Sequence, residues 1–291
     1  LLPAEAFSTH PWLLVARANI AQLRSDYGAV LPLLEDAEAR LAAMPNAVAS
    51  QGEVVLRGYL DLLWAMHWLL SDYQPHKAAA AAEHAWRSLP PAHRYVRGSA
   101  LQFHTLVMLT AGNVAAAIQL VEDELARTPR TGDHARLRLL WCLMSLHLAD
   151  GYIEPGKVIA TLLLEEATAA NAPISQLWAR LALGAIAYEA DDLAEAIKHF
   201  TQGMELRSVG HTRGGHECMA GLAFTYQALG RTADAHQAAS MLYEYQRQAG
   251  NLALAAEAQM LQLHLAVLAG AQPAGQPWPP PHTAAPAILL G

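Results

Sequence analysis

A few stretches bring together residue types that could do chemistry. Gly151-Tyr152-Ile153-Glu154-Pro155-Gly156-Lys157-Val158 approaches a phosphate-binding loop, in which glycines let backbone N–H groups cradle phosphate and a Ser or Thr after the lysine holds magnesium. Val158 stands where that hydroxyl is needed, Glu154 would face a phosphate, and no strand pattern precedes the segment, so it reads as a turn. His211, His216 and Cys218 surround Arg213-Gly214-Gly215 and offer nitrogen and sulfur ligands. Zinc needs three or four ligands in fixed geometry and no second pair matches, so the segment reads as a solvated loop before a helix pair, with no metal expected. Arg127, Arg130, Arg136 and Arg138 could surround a small anion, but Glu124 and Asp133 among them suit ordinary ion pairing on a solvated turn. The sequence has no H-E-x-x-H, G-x-S-x-G or C-x-x-C, so hydrolase and redox chemistry lack their nucleophile or ligands. A Ser/His/Asp triad is defined by geometry rather than spacing, and no pattern here favours one. The expectation is a chain without catalysis and without a cofactor.

Composition narrows the class of partner. Of 291 residues, 53% are hydrophobic and only 15% charged, where about 25% is usual for soluble domains, so much of the chain must be buried. Nineteen Lys and Arg face 26 Asp and Glu for a net charge of -7, and Lys77, Lys157 and Lys198 are the only lysines. No broad cationic face is available to neutralise phosphates, so this segment is not expected to grip nucleic acid itself. Cys142 and Cys218 are too few for a disulfide framework and fit a reducing compartment, which makes the cytoplasm the expected location. The opening Leu1-Leu2-Pro3 has neither an initiator Met nor a basic stretch, and reads as part of a longer chain without a signal peptide. Residues 98–121 carry no formal charge, yet Gln102, His104, Gly112 and Asn113 interrupt them at helix-turn-helix spacing, so no membrane span is expected.

The elements that must position any site are helices. Apolar residues recur three and four apart in segments separated by Asp26-Tyr27-Gly28, Asp72-Tyr73-Gln74-Pro75, Gly112-Asn113, Asp150-Gly151, Asp191-Asp192, Gly230-Arg231 and Gly250-Asn251. Five positions into each of five such segments stand Ala78, Ala117, Gly156, Ala196 and Ala235, a step of 39 or 40 residues. A period that constant, with a small residue in phase, predicts stacked helical hairpins in close contact. Six hairpins are expected, at 10–43, 51–89, 92–128, 131–170, 173–208 and 213–249, with a closing helix over 251–270. Residues 1–270 read as one repeat domain, and the Pro- and Ala-rich 271–291 stretch as a linker or tail.

Within the fifth unit, Leu183-Gly184, Ala196 and Phe200 fall at the spacing of the tetratricopeptide pattern, and Leu222-Ala223, Tyr226 and Ala235 repeat it. The fold expected is therefore all-α, a tetratricopeptide-like right-handed superhelix in which Gly184 and Ala196 let paired helices approach and Phe200 fills the space between hairpins. Leu2-Pro3-Ala4-Glu5, His10-Pro11-Trp12-Leu13-Leu14, Gln51-Gly52-Glu53, Leu56-Arg57-Gly58-Tyr59-Leu60 and Leu89-Pro90-Pro91 further resemble the helical-repeat region of MalT-like, LuxR-family transcriptional regulators. The likeness covers about residues 1–270 and rests mostly on apolar spacing. In that family a nucleotide-binding switch module precedes the repeats and a DNA-binding helix-turn-helix follows them. The resemblance implies a signal-receiving or partner-receiving region, with DNA contact left to a module outside this sequence. A scaffold that only docks proteins is the competing expectation.

In such repeats the first helix of each hairpin lines the concave surface. Counting from Gly184, the candidates facing that groove are Trp64 and His67, Gln102 and Leu106, Arg138, Trp141 and Ser145, Trp178, Leu181 and Tyr188, and Glu217, Phe224 and Gln227. Aromatic rings with an arginine and a few polar groups suit an inducer, a peptide or a regulatory protein. The competing reading for each is packing between helices. Apolar ends of a repeat stack leave self-association into a homo-oligomer open.

Overall fold

The computed structural model describes residues 10–24, 26–43, 51–128, 133–207 and 212–270. Leu2-Pro3-Ala4-Glu5, Arg130, His211 and the 271–291 stretch lie outside them. The described residues form 13 α-helices and no strand. They belong to two compact units, Leu1–Asp150 and Gly151–Gly291. The first unit holds α1 (Pro11–Leu23), α2 (Tyr27–Ala42), α3 (Gln51–Leu70), α4 (Pro75–Ser88), a short 3-10 turn (Pro91–His93), α5 (Arg94–Thr110), α6 (Val114–Ala126) and α7 (His134–Ala149). The second holds α8 (Ile153–Ala169), α9 (Pro173–Glu189), α10 (Leu193–Glu205), α11 (Thr212–Ala228), α12 (Thr232–Gln248) and α13 (Leu252–Leu268).

Local chemistry explains the helix boundaries. Pro11, Pro75 and Pro173 stand at helix starts, where the missing N–H costs no hydrogen bond. Asp133 caps α7 by accepting from the Ala135 N–H at 2.9 Å, and Asn251 caps α13 by accepting from Leu254 N–H at 3.2 Å. The punctuation marks of the sequence are the chain reversals. Tyr73, Gly112, Gly151, Asp191 and Gly230 all have positive φ, between 49° and 80°. Five residues beyond each, Ala78, Ala117, Gly156, Ala196 and Ala235 are buried. The repeat period thus has a physical origin, a left-handed residue that turns the chain followed five residues later by a buried position that carries a small side chain.

Within each unit every helix packs on its chain neighbour, and the first helices of successive hairpins also pack together. In the first unit α1 meets α3, α3 meets α5 and α5 meets α7; in the second α9 meets α11 and α11 meets α13. Short turns between touching helices make each pair antiparallel. One core of the first unit joins Leu14, Leu34 and Leu60, and another joins Ala85, Leu89 and Phe103. In the second unit Phe200 of α10, 1% exposed, lies between α9 and α11. A Cβ added at Gly184 would come within 2.7 Å of its ring, and one at Gly221 within 2.5 Å. Ala196 is buried on α10, and the atoms nearest to a Cβ at Gly184 belong to the Phe200 ring. Phe200 does fill the inter-hairpin space as the pattern implies.

Candidate functional site

Gly151 to Val158 form a turn and the first residues of α8, and Gly151 adopts a φ of +80°. Among the described residues no three His, Cys, Asp or Glu side chains gather as a metal site. Arg213 to Cys218 lie inside α11 rather than in a solvated loop, because Gly214 and Gly215 pack closely on Leu177 and Arg207. Cys218 is fully buried, which raises its thiol pKa and leaves little thiolate for ligation or attack. Of the four arginines around the α6–α7 junction, Arg130 lies outside the described residues; Arg127 approaches Glu124 at 3.6 Å, while Arg138, within α7, lies among aromatic rings.

In the first unit, α3 presents Trp64 and His67 next to each other, ring centroids 5.9 Å apart. Trp64 also stacks on Trp68 at 4.9 Å and donates its indole N–H to Glu38 of α2 at 2.8 Å. Glu38 accepts from Arg57 as well, so one carboxylate fixes both α3 side chains. His67 is buried, and desolvation lowers its pKa below the ordinary value of 6.5 against the pull of Asp72 and Glu35. Farther along, the Arg138 guanidinium of α7 lies 4.5 Å from the Trp141 ring and 5.0 Å from that of Tyr95. Arg138 donates to Gln102 Oε1 at 3.2 Å and to the Tyr95 hydroxyl. Ser145 donates to the Trp141 carbonyl one turn back, at 2.9 Å. Leu106 is buried in the α3–α5 core.

The second unit places its candidates mainly among neighbouring side chains. Trp178 and Leu181 are buried on α9, and a Cβ at Gly214 would sit 3.6 Å from the Trp178 ring. Tyr188 is half-buried near the end of α9. Phe224 meets the His264 ring of α13 edge-on at 5.8 Å. The Gln227 side-chain oxygen is buried without a hydrogen-bond partner among the described residues. Glu217 belongs to an ion cluster tying α11 to α13. Arg213 donates to Glu217 at 2.7 Å and to Glu257 at 2.8 Å, and His216 Nε2 lies 3.6 Å from Glu257.

Burial and the nearby Arg213 charge lower the His216 pKa to about 3. Burial raises that of Glu257 to about 7 against the attraction of Arg213. Burial works against the Arg213 charge too, but Glu217 and Glu257 overcome it and hold the guanidinium above its ordinary pKa. Neither this cluster nor the part of Tyr95 was legible in the sequence, since Glu257 is 44 residues from Arg213 and Tyr95 is 43 from Arg138.

The fold resembles that of known tetratricopeptide-type proteins. A Rap protein complexed with Competence and Sporulation Factor aligns over 89% of this chain and 86% of its own, with a TM-score of 0.59 and 10% identity. A signal transduction ATPase with numerous domains from Pyrococcus horikoshii, described as having a tetratricopeptide repeat sensor, aligns over 90% of this chain at 16% identity and a TM-score of 0.55. This chain spans 39% of that protein. The anaphase-promoting complex assembly Cut9-Hcn1 aligns over 91% of this chain and 51% of that one, at 15% identity and a TM-score of 0.51. No family model and no curated protein sequence matches the chain. The fold is thus of the tetratricopeptide-like helical-repeat class. Among the described residues no helix is long and apolar enough to cross a membrane.

Proposed function

We propose that this chain is a non-catalytic sensing region of a cytoplasmic LuxR-type transcriptional regulator of the MalT-like group. It receives an inducer or a regulatory protein on the faces built by the first helices of its hairpins. The observation that supports this reading best is the likeness, over 90% of the chain, to a protein that carries a tetratricopeptide repeat sensor. The residues quoted from the N-terminal hairpins favour the MalT-like group over other repeat proteins. The candidate contacts are Trp64, His67, Gln102, Arg138, Trp141 and Ser145 in the first unit, and Trp178, Tyr188, Glu217, Phe224 and Gln227 in the second. DNA contact in such a regulator falls to a separate module.

A thermal-shift screen against sugars, short acyl compounds, nucleotides and peptides tests the reading. A ligand at a hundred times its dissociation constant stabilises the folded state by about 2.7 kcal/mol. The expected result is a shift that Trp141→Ala or Trp178→Ala removes. A well-folded chain that responds to no compound and only to a partner protein would instead fit the docking scaffold, which the likeness to Cut9-Hcn1 favours.

Self-association belongs to the same proposal. Leu252, Met260 and Val267 of α13 are 78%, 37% and 53% exposed, in a row that carries no charged side chain. A second copy of this face would meet it without charge repulsion. Sedimentation velocity should then show a dimer that Met260→Lys with Val267→Lys converts to monomer. An unmodified chain that sediments as a monomer at high concentration removes the idea.

A further inference from the structure

The first unit contains a half-buried arginine whose charge no described carboxylate meets. Arg40, Arg57, Arg94, Arg213, Arg231 and Arg247 each form an ion pair with Asp or Glu. Arg138 does not. Its hydrogen bonds run to two neutral acceptors, the Gln102 amide oxygen and the Tyr95 hydroxyl. A guanidinium has five N–H donors, so others remain to be satisfied. Gln102 is only 5% exposed, and this buried amide stands where an isosteric carboxylate would have closed the pair internally.

The surroundings hold the guanidinium in place without neutralising it. Tyr95 and Trp141 lie 5.0 and 4.5 Å from it and limit its rotation. The stem of Arg138 packs beside Gly98 of α5, where an added Cβ would lie 3.4 Å from the Arg138 Cγ. A planar cation fixed in this way loses little freedom when it forms a further pair, and partial burial strengthens a charge-assisted hydrogen bond. Tyr95 remains 45% exposed, so the cluster reaches the surface.

We propose that Arg138, supported by Gln102, Tyr95 and Trp141, is an anchor for a ligand carboxylate. A single-charge acid fits better than a phosphate dianion because the neighbouring cations are engaged. Arg94 is paired with Asp133 at 2.9 Å, and Arg97 donates to the backbone carbonyls of Trp86 and Leu89. The proposal rests on the ligand-binding reading above and gives that site its ligand chemistry. The carboxylate is either that of a free organic acid or one presented by a peptide.

The full chain is titrated with butyrate, with a blocked tetraglutamate peptide and with its tetraglutamine counterpart, followed by calorimetry and tryptophan fluorescence. Saturable binding of tetraglutamate but not tetraglutamine is expected. Binding of butyrate as well assigns the anchor to the carboxylate alone, whereas binding of the peptide only assigns it to a carboxylate on a peptide. Arg138→Gln should weaken binding by about tenfold or more. Gln102→Glu is the stricter variant, because it keeps the arginine and supplies an internal carboxylate. It should abolish acid binding while leaving the melting temperature unchanged or higher. Absence of acid binding, equal binding of the two peptides, or an unchanged affinity in Gln102→Glu overturns the anchor. If the compound screen with Trp178→Ala is still positive in that event, the sensing reading stands and only the carboxylate assignment falls.

Discussion

Gly221→Ala tests whether Phe200 is the wedge that sets the spacing of α9 and α11. An added Cβ at Gly221 would sit 2.5 Å from the ring Cζ and 2.6 and 2.8 Å from the two Cε atoms. Carbon contacts are comfortable at about 3.5–4.0 Å, so the overlap is on the order of 1 Å. Retreat toward α9 is restricted, because an added Cβ at Gly184 would already lie 2.7 Å from the same ring. Overpacking of this kind costs about 1–3 kcal/mol, while replacing a mid-helix glycine with alanine returns about 1. A net loss of about 1 kcal/mol is expected, read as a lower urea midpoint by far-ultraviolet circular dichroism. Stacked repeats need not unfold in one step, so amide exchange in α11 provides a local check. Phe200→Leu removes the Cε and Cζ atoms that would clash. In that background Gly221→Ala should become stabilising by about 1 kcal/mol through helix propensity alone. Equal destabilisation by Gly221→Ala in both backgrounds would refute the wedge.

Gly230 offers the complementary case. Its φ is +70° and an added Cβ would meet nothing within 4 Å, so Gly230→Ala should cost about 1–2 kcal/mol through backbone strain alone, with no rescue by Phe200→Leu. The ion cluster predicts opposed pH effects. Glu257, raised to about 7, holds a proton in the folded state that it loses on unfolding, so its contribution to stability is present at low pH and fades as pH rises through 7. His216, lowered to about 3, is protonated only on unfolding, so its contribution is present above the ordinary histidine pKa and fades as pH falls. Between pH 5 and 6 the two oppose each other. Urea midpoints at pH 5 and 7.5 should show His216→Gln gaining stability on acidification and Glu257→Gln losing it. The same slope in both variants would contradict the assignment.

The helices and their pairing were legible because turns and small residues are local signals. Asp191 and Gly230 mark reversals whose φ is positive, and Ala196 and Ala235 mark positions that are buried. The fit of Phe200 between Gly184 and Gly221 was less legible, since spacing places the ring on α10 without saying which glycines receive it. The proposed contact faces were harder still. α13 has apolar residues around most of its circumference, and its sole acid, Glu257, is directed at Arg213 instead of solvent. Where both faces of a helix are apolar, periodicity identifies the helix but not the side that packs.

The contrast between Arg138 and Arg213 carries the same point from sequence to function. Each is an arginine on the first helix of a hairpin, and their local sequences give no reason to rank one above the other. Their tertiary partners separate them. Arg213 is met by two carboxylates, so its charge is spent on holding α11 to α13. Arg138 is met by an amide, a phenol and two ring faces, which orient a cation without cancelling it. An internally balanced charge has little left to offer a ligand, whereas an oriented and unbalanced one retains most of its interaction energy for an incoming anion. Gln102→Glu would turn the second arrangement into the first by exchanging one amide for a carboxylate. A loss of acid binding without a loss of fold would therefore separate what this helix pair needs for packing from what it offers to a ligand.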